Sequence, residues 1–414
     1  MPAYLFENCN LYDGLGDTMR DGMHVLTDGA RIVEVSDRPI VRSGQAHRIK
    51  VDGRTLMPGL IDAHVHITAT VTNLGTLTGQ PPSLIAAGSA RIAYEMLMRG
   101  FTSVRDAGGA DYALSVAIDT GIVQGPRLFV SGQALSQTGG HADFRPRTLV
   151  ADGCACGQAF PSLGRIADGA TEVRRAARDE LRKGATQIKI MAGGGVASPS
   201  DPIQNTQYSA EEMRIIVEEA EAWHTYVMAH AYTGAAIRRA VTAGIRTIEH
   251  GNLIDDEAAR LMAEKKAFLV PTLATYDALG RYGRELGFPE VSLMKLTEVQ
   301  AAGLRSIEIA KAAGVKIGHG SDLLGAMHVH QLSEFNIRKE VLSPAELLAS
   351  ATRINAEILM KPKDLGCVAA GAFADLLVVD GDPLADIACL TQPEKRLLMI
   401  MKGGTIYKDT AALH

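Results

Sequence analysis

Four short apolar runs end in side chains able to hold a metal or move a proton, and a fifth carries a lysine. Asp62-Ala63-His64-Val65-His66 closes one run, His230 another, Glu249-His250 a third, and Ser321-Asp322 follows a fourth. Lys189 stands between Ile188 and Ile190. Side chains alternate along a strand, so His64 and His66 point to the same side. Imidazole and carboxylate suit zinc and similar divalent ions, and His64, His66, Lys189, His230, His250 and Asp322 together suffice for two of them. An ammonium flanked by isoleucines is costly to bury unpaired, and desolvation or nearby cations lower its pKa. A neutral Lys189 amine can take up carbon dioxide as a carbamate, whose two oxygens could bridge two metals; pairing with a carboxylate is the plainer alternative. For each histidine the alternative is a hydrogen-bonded core residue, and for Asp322 it is a helix N-cap.

The elements that must bring these residues together follow from the periodicity. Eight short apolar runs alternate with helical patterns between about residues 57 and 360: Leu60–Val65, Phe101–Val104, Arg127–Val130, Gln187–Met191, Tyr226–His230, Thr247–His250, Phe268–Leu273 and Val315–Gly318. Helical stretches include 84–99, 171–183, 210–223, 235–243, 256–265 and 298–313. Ser209…Glu212 and Ser343…Glu346 read as capping boxes. Gly100, Gly184, Gly244 and Gly314 fall where helices end. Eight strands alternating with helices predict an α/β chain closed as a (β/α)8 TIM barrel, with the ligand-type residues at the C-terminal ends of its strands. Residues 1–56 and 361–414 instead read as short strands cut by turns such as Asp28-Gly29 and Asp52-Gly53, which predicts one small β-sandwich domain built from both termini. The barrel domain then spans 57–360.

Composition sets the outer limits. The 414 residues carry 42 Lys+Arg against 47 Asp+Glu, a formal charge of −5, so no basic field awaits a nucleic acid. No apolar run approaches the ~18 residues of a membrane span. Residues 1–10 lack the pattern of a signal peptide, and the expectation is a soluble cytoplasmic protein. Cys9, Cys154, Cys156, Cys367 and Cys389 read as buried thiols. His319 reads as packing or support for the ligands, His328-Val329-His330 as surface or loop, and Gly193-Gly194-Gly195 as a flexible loop over the site.

The run Met57-Pro58-Gly59-Leu60-Ile61-Asp62-Ala63-His64-Val65-His66, followed in order by Lys189, His230, His250 and Asp322, resembles the amidohydrolase superfamily over nearly the whole chain. Ile188–Gly195 and Thr247–Gly251 are most similar to its imidazolonepropionase-like branch, with the binuclear prolidases and the related Xaa-Arg/Lys carboxypeptidases. The resemblance implies that His64, His66 and Asp322 hold one metal, that His230 and His250 hold the other, and that carboxylated Lys189 bridges them. Zinc is the default metal, with manganese or cobalt as alternatives. A hydroxide shared by the metals would attack an amide carbonyl, with Asp322 as proton shuttle. The implied substrate is a small molecule, a dipeptide or N-acyl amino acid, and Xaa-Pro dipeptides come first. His141 and Tyr232 are candidates for binding it; Arg105 and Arg238 are weaker ones. Association into homo-oligomers is a further expectation. The alternatives are an Xaa-Arg/Lys carboxypeptidase, a lactonase, a phosphotriesterase and a non-catalytic relative. Related deaminases usually place a glutamate three residues after the strand-five histidine, where this chain has Thr233.

Overall fold

Asp-Gly and other turns divide the first part of the chain into β1 (Ala3–Tyr12), β2 (Met19–Asp28), β3 (Arg31–Ser36), β4 (His47–Lys50) and β5 (Thr55–Pro58) in the computed structural model, which describes residues 2–41, 45–145, 162–198 and 201–410. The middle of the chain supplies β6 (Leu60–Val65), β7 (Phe101–Asp106), β8 (Arg127–Phe129), β9 (Ala134–Ser136), β10 (Gly164–Ile166), β11 (Ile188–Met191), β12 (Val227–Thr233), β13 (Thr247–Leu253), β14 (Phe268–Val270) and β15 (Lys316–Ile317). The last part adds β16 (Leu376–Val379), β17 (Leu397–Lys402) and β18 (Thr405–Asp409). Strands from both termini join in one sheet of order β18-β17-β16-β5-β1-β2-β3, with β4 beside β1. Phe6, Leu11, Val25, Leu56, Leu376 and Met399, from five of these strands, share a core of their own. Cys9, Cys367 and Cys389 are buried free thiols, as read from the sequence; Cys154 and Cys156 lie outside the described residues.

The middle strands are parallel throughout and form two arcs, β6-β7-β8 and β10-β9-β11-β12-β13-β14-β15. Backbone hydrogen bonds close the gaps between them. Thr186 donates to the carbonyl of Val130 (2.7 Å) at one seam, while Ala63 donates to His319 (2.8 Å) and Asp322 to His64 (2.8 Å) at the other. The eight runs read from the sequence therefore close into a TIM barrel, with β9 and β10 as an unforeseen addition beside β11. The connecting helices are α1 (Pro82–Met98), α2 (Tyr112–Asp119), α3 (Gly169–Arg182), α4 (Ala210–Ala222), α5 (Gly234–Thr242), α6 (Asp256–Glu264), α7 (Leu273–Tyr282) and α8 (Glu290–Ala312). Among the described residues, no helix is long and apolar enough to cross a membrane.

Local chemistry accounts for the punctuation. Ser209 and Ser343 both form the expected capping boxes with Glu212 and Glu346. Gly100, Gly184, Gly244 and Gly314 all have positive φ, between 82° and 99°, as the turn from helix to strand requires. The run read as Phe268–Leu273 is shorter as a strand, because Thr272 turns left-handed (φ 49°) and α7 starts at Leu273.

At the β6–β15 seam, the Asn355 side chain donates to Ile61 O (2.7 Å) and His319 O (2.8 Å) and accepts from His319 N (3.1 Å). All of this is buried. Asn355→Ala removes three buried hydrogen bonds, and we expect a loss of about 3 kcal/mol, read as a melting temperature lower by several degrees. An unchanged melting curve would show that the seam does not depend on this side chain.

Candidate metal and substrate site

Strand ends carry the site. β6 delivers His64 and His66, with ring centroids 5.4 Å apart, and irregular pairing between Asp62 and Val65 bends the strand where it meets the site. β11 delivers Lys189, β12 delivers His230 with Tyr232 beyond it, and β13 delivers His250. Asp322 follows β15, and His141 comes from the segment after β9. All eight line one cavity of about 480 Å3, counting its open mouth. His250, Thr272 and Asp322 all hold left-handed backbone (φ 73°, 49° and 53°), an unfavourable state for non-glycine residues that clusters here at the barrel mouth.

Asp322 sits at the centre. Its Oδ1 lies 3.4 Å from His64 Nε2 and 3.3 Å from His66 Nε2, and His250 Nδ1 is 4.0 Å from its Oδ2. His64, His250 and Asp322 bring ligand atoms within 4.8 Å of one another. His230 joins through ring contacts, with centroids 4.5 Å from His250 and 4.2 Å from His141.

Each imidazole has one nitrogen occupied. His64 Nδ1 contacts Glu249 Oε2 at 2.7 Å, His66 Nδ1 the carbonyl of Gly108 at 2.9 Å, and His250 Nδ1 the hydroxyl of Thr272 at 2.7 Å. His230 uses Nε2 on the carbonyl of Gly194 (3.0 Å), which leaves its Nδ1 available. The residues fit a divalent cation: His64 Nε2 is buried without a hydrogen-bond partner beside a carboxylate, which is costly unless a cation fills the gap.

Electrostatics agree. Burial, with neighbouring positive groups, holds His141, His230 and His250 well below the usual imidazole range, so they stay neutral with lone pairs to give. Burial favours the neutral form of Asp322, yet His64 and His66 hold it well below the usual carboxylate range. Lys189 is 1% exposed, and desolvation brings its pKa down to about 8, in the direction that frees an amine.

Supporting roles emerge that the sequence alone does not assign. Glu249, which orients His64, also accepts from Arg105 (2.9 Å) and Thr247 (2.5 Å). Burial alone would raise its carboxyl, but Arg105 and His64 bring it to about 2. Arg105 is thus structural, buried beneath the site, while Arg238 pairs with Asp255 (2.7 Å) on the outside. His141 contacts Ser198 Oγ (3.0 Å) through Nδ1, and its backbone N–H donates to Gln207 (3.0 Å). The triple glycine is no free loop: Gly193 bridges to Thr206, and a Cβ on Gly195 would fall 1.9 Å from the His141 ring. His319 packs between Phe101 and Phe335, as expected of a packing residue. His328 departs from expectation. It is buried with Nε2 3.2 Å from the carbonyl of Ala69, because Gly325–His330 folds as a short 3-10 helix against the segment after β6.

Comparison with known proteins follows the same line. The amidohydrolase family model matches residues 55–406. Ochratoxinase of Aspergillus niger is 33% identical, over 96% of this chain and 85% of its own. A prolidase solved with N-methylphosphonate-L-proline is 54% identical with a TM-score of 0.96, covering 99% of this chain and 100% of that one. A Xaa-Pro dipeptidase with methionine bound in its active site is 29% identical with a TM-score of 0.87, over 98% and 100% of the two chains. The chain belongs to the amidohydrolase family and is a hydrolase acting on amide bonds.

Proposed function

We propose that the protein is a binuclear-metal dipeptidase that cleaves Xaa-Pro dipeptides. The observation that carries this reading is the convergence of His64, His66, Lys189, His230, His250 and Asp322 on one cavity that Leu74, Val196, Leu279 and Leu324 line on their apolar side. The 54% identity to a prolidase solved with a proline phosphonate supports the same choice. Among the described lining residues, Asp322 is the one carboxylate, so a cationic arginine or lysine side chain finds no free partner there. That favours an apolar C-terminal residue over the Xaa-Arg/Lys reading. N-acyl amino acids are the second reading, because the aliphatic wall accepts an apolar acyl group as readily as an aminoacyl one. Thr233 caps α5 by accepting from Ala236 N (3.3 Å), a structural task at the position where related deaminases carry their glutamate.

In this reading His64, His66 and Asp322 would hold one ion, His230 and His250 would hold the other, and a carboxylated Lys189 would serve both. Zinc is the metal we propose. Bound there, the ions would lower the pKa of water and polarise the scissile carbonyl. Asp322, held ionised by its imidazoles, accepts the proton of the attacking water at a carboxylate oxygen. It then returns that proton to the amide nitrogen, which leaves as an amine only once protonated. Glu249 and Arg105 keep His64 aimed during this transfer, and His141 and Tyr232 orient the substrate. The catalytic unit is residues 57–360, with 1–56 and 361–414 as the composite β unit.

Zinc- and bicarbonate-loaded protein should release amino acid selectively from Xaa-Pro members of a dipeptide library grouped by C-terminal residue. Release from Xaa-Arg or Xaa-Lys instead would overturn the prolidase assignment, and release from N-acyl amino acids alone would move it to the second reading. Asp322→Asn should lower kcat by about 10²–10⁴-fold while most of the metal stays bound. Near-normal turnover in that variant would remove Asp322 from the proton transfer.

A further inference from the structure

His141 lines the cavity but sits in no strand, so strand register does not fix its ring. The imidazole stacks on His230, with centroids 4.2 Å apart. Its Nδ1 lies 3.0 Å from Ser198 Oγ and 3.7 Å from Asp201 Oδ2, which leaves Nε2 as the ring nitrogen for the cavity. Asp201 itself does not line the cavity; it stands behind the imidazole.

Asp201 is buried, and a buried carboxylate is costly unless hydrogen bonds satisfy it. Its Oδ2 accepts from Gly195 N (3.0 Å) and Ser198 Oγ (3.2 Å), and its Oδ1 accepts from Gln207 Nε2 (2.9 Å). Burial pushes the carboxyl up to about 6, so the group is still ionised at neutral pH. Two routes lead from it to His141. Ser198 touches the ring at Nδ1, and the Gln207 side-chain oxygen accepts from the His141 backbone N–H (3.0 Å). Gln207 is in turn tied to the end of β11, where its own N–H donates to Ala192 O (2.9 Å). From α8, Lys295 Nζ donates to the carbonyls of Gly195 (3.1 Å), Ser198 (2.7 Å) and Asp201. An ammonium has three protons, so this one is fully engaged in pinning both Ser198 and Asp201 from outside the cavity.

We propose that Asp201 is a positioning residue for His141, holding the Nδ1 edge of the ring through Ser198 and the backbone that carries it through Gln207, so that Nε2 stays turned to the substrate. This rests on the dipeptidase reading, in which His141 orients the substrate. A side chain that binds substrate keeps its aim only if a second layer of contacts locks its rotamer. Without Asp201, Ser198 and Gln207 both lose the acceptor that fixes them, and the ring is free to turn on His230.

The test is a pair of double-mutant cycles in the metal-loaded full chain with an Xaa-Pro dipeptide, combining His141→Ala with Asp201→Asn and, separately, with Ser198→Ala. Asp201→Asn and Ser198→Ala should each raise KM about tenfold with kcat little changed, as expected when a hydrogen bond to a charged group is lost. Beside His141→Ala neither should cost anything further, because the group they position is gone. Metal content should be unchanged throughout. Ser198→Ala leaves the Gly195 and Gln207 bonds of Asp201 in place, so it decides the matter alone if Asp201→Asn does not fold. Losses that persist undiminished beside His141→Ala, or wild-type KM in the single variants, would overturn the positioning role and leave the dipeptidase reading intact. Wild-type KM in His141→Ala would overturn it as well, by removing the contact it serves. Absence of Xaa-Pro cleavage in the unmodified protein would be a failure of the dipeptidase reading, and the same cycles on the amide it does cleave would then decide the role of Asp201.

Discussion

The backbone hydrogen bond from Asp322 to the carbonyl of His64, 2.8 Å long, does two things at once. It closes the barrel between its last and first strands, and it holds the Asp322 carboxylate against two imidazoles. A (β/α)8 barrel whose ends did not meet at this register would not bring Asp322 against His64 and His66, because these residues come from opposite ends of the strand sequence. The left-handed backbone of Asp322 is the local cost of that placement. Asn355 and the backbone pair Ala63–His319 hold the same seam from below.

Beneath the cluster, charge is balanced rather than avoided. Arg105 is fully buried and pairs with fully buried Glu249, which in turn holds His64. A buried pair of this kind contributes little net stability compared with a well-packed apolar replacement, so its value lies in fixing orientation. The imidazole it orients keeps a free nitrogen aimed at Asp322. The contacts of His250 with Thr272 and of Tyr276 with Tyr232 extend the same principle outward along the cavity wall. Fixed donors and acceptors around a reacting group act without the reorganisation that water would need.

Much of this was legible in the sequence because it follows from local rules. Two-residue spacing places His64 and His66 on one side, helix-ending glycines mark strand starts, and alternation of strand and helix gathers strand-end residues at one mouth. What was not legible depends on contacts between distant segments. Glu249 stands beside a ligand in the sequence, but its bond to His64 spans 185 residues. Thr272 reads as part of the apolar run Phe268–Leu273, and it is the αL turn there that starts α7 and brings Tyr276 to the cavity. Strands β9 and β10 are three residues each, too short for a periodic signal. His328 reads as surface by its place after the last strand, yet the chain folds back there to bury it.

The central claim is that these six side chains hold two divalent ions bridged by a modified lysine. Anomalous diffraction at the zinc edge, from crystals grown with zinc and bicarbonate, tests it most directly. The account predicts two peaks in the cavity, one beside His64, His66 and Asp322 and the other beside His230 and His250, with carbamate density joining Lys189 to both. A single peak with an unmodified Lys189, or peaks away from these residues, would contradict it.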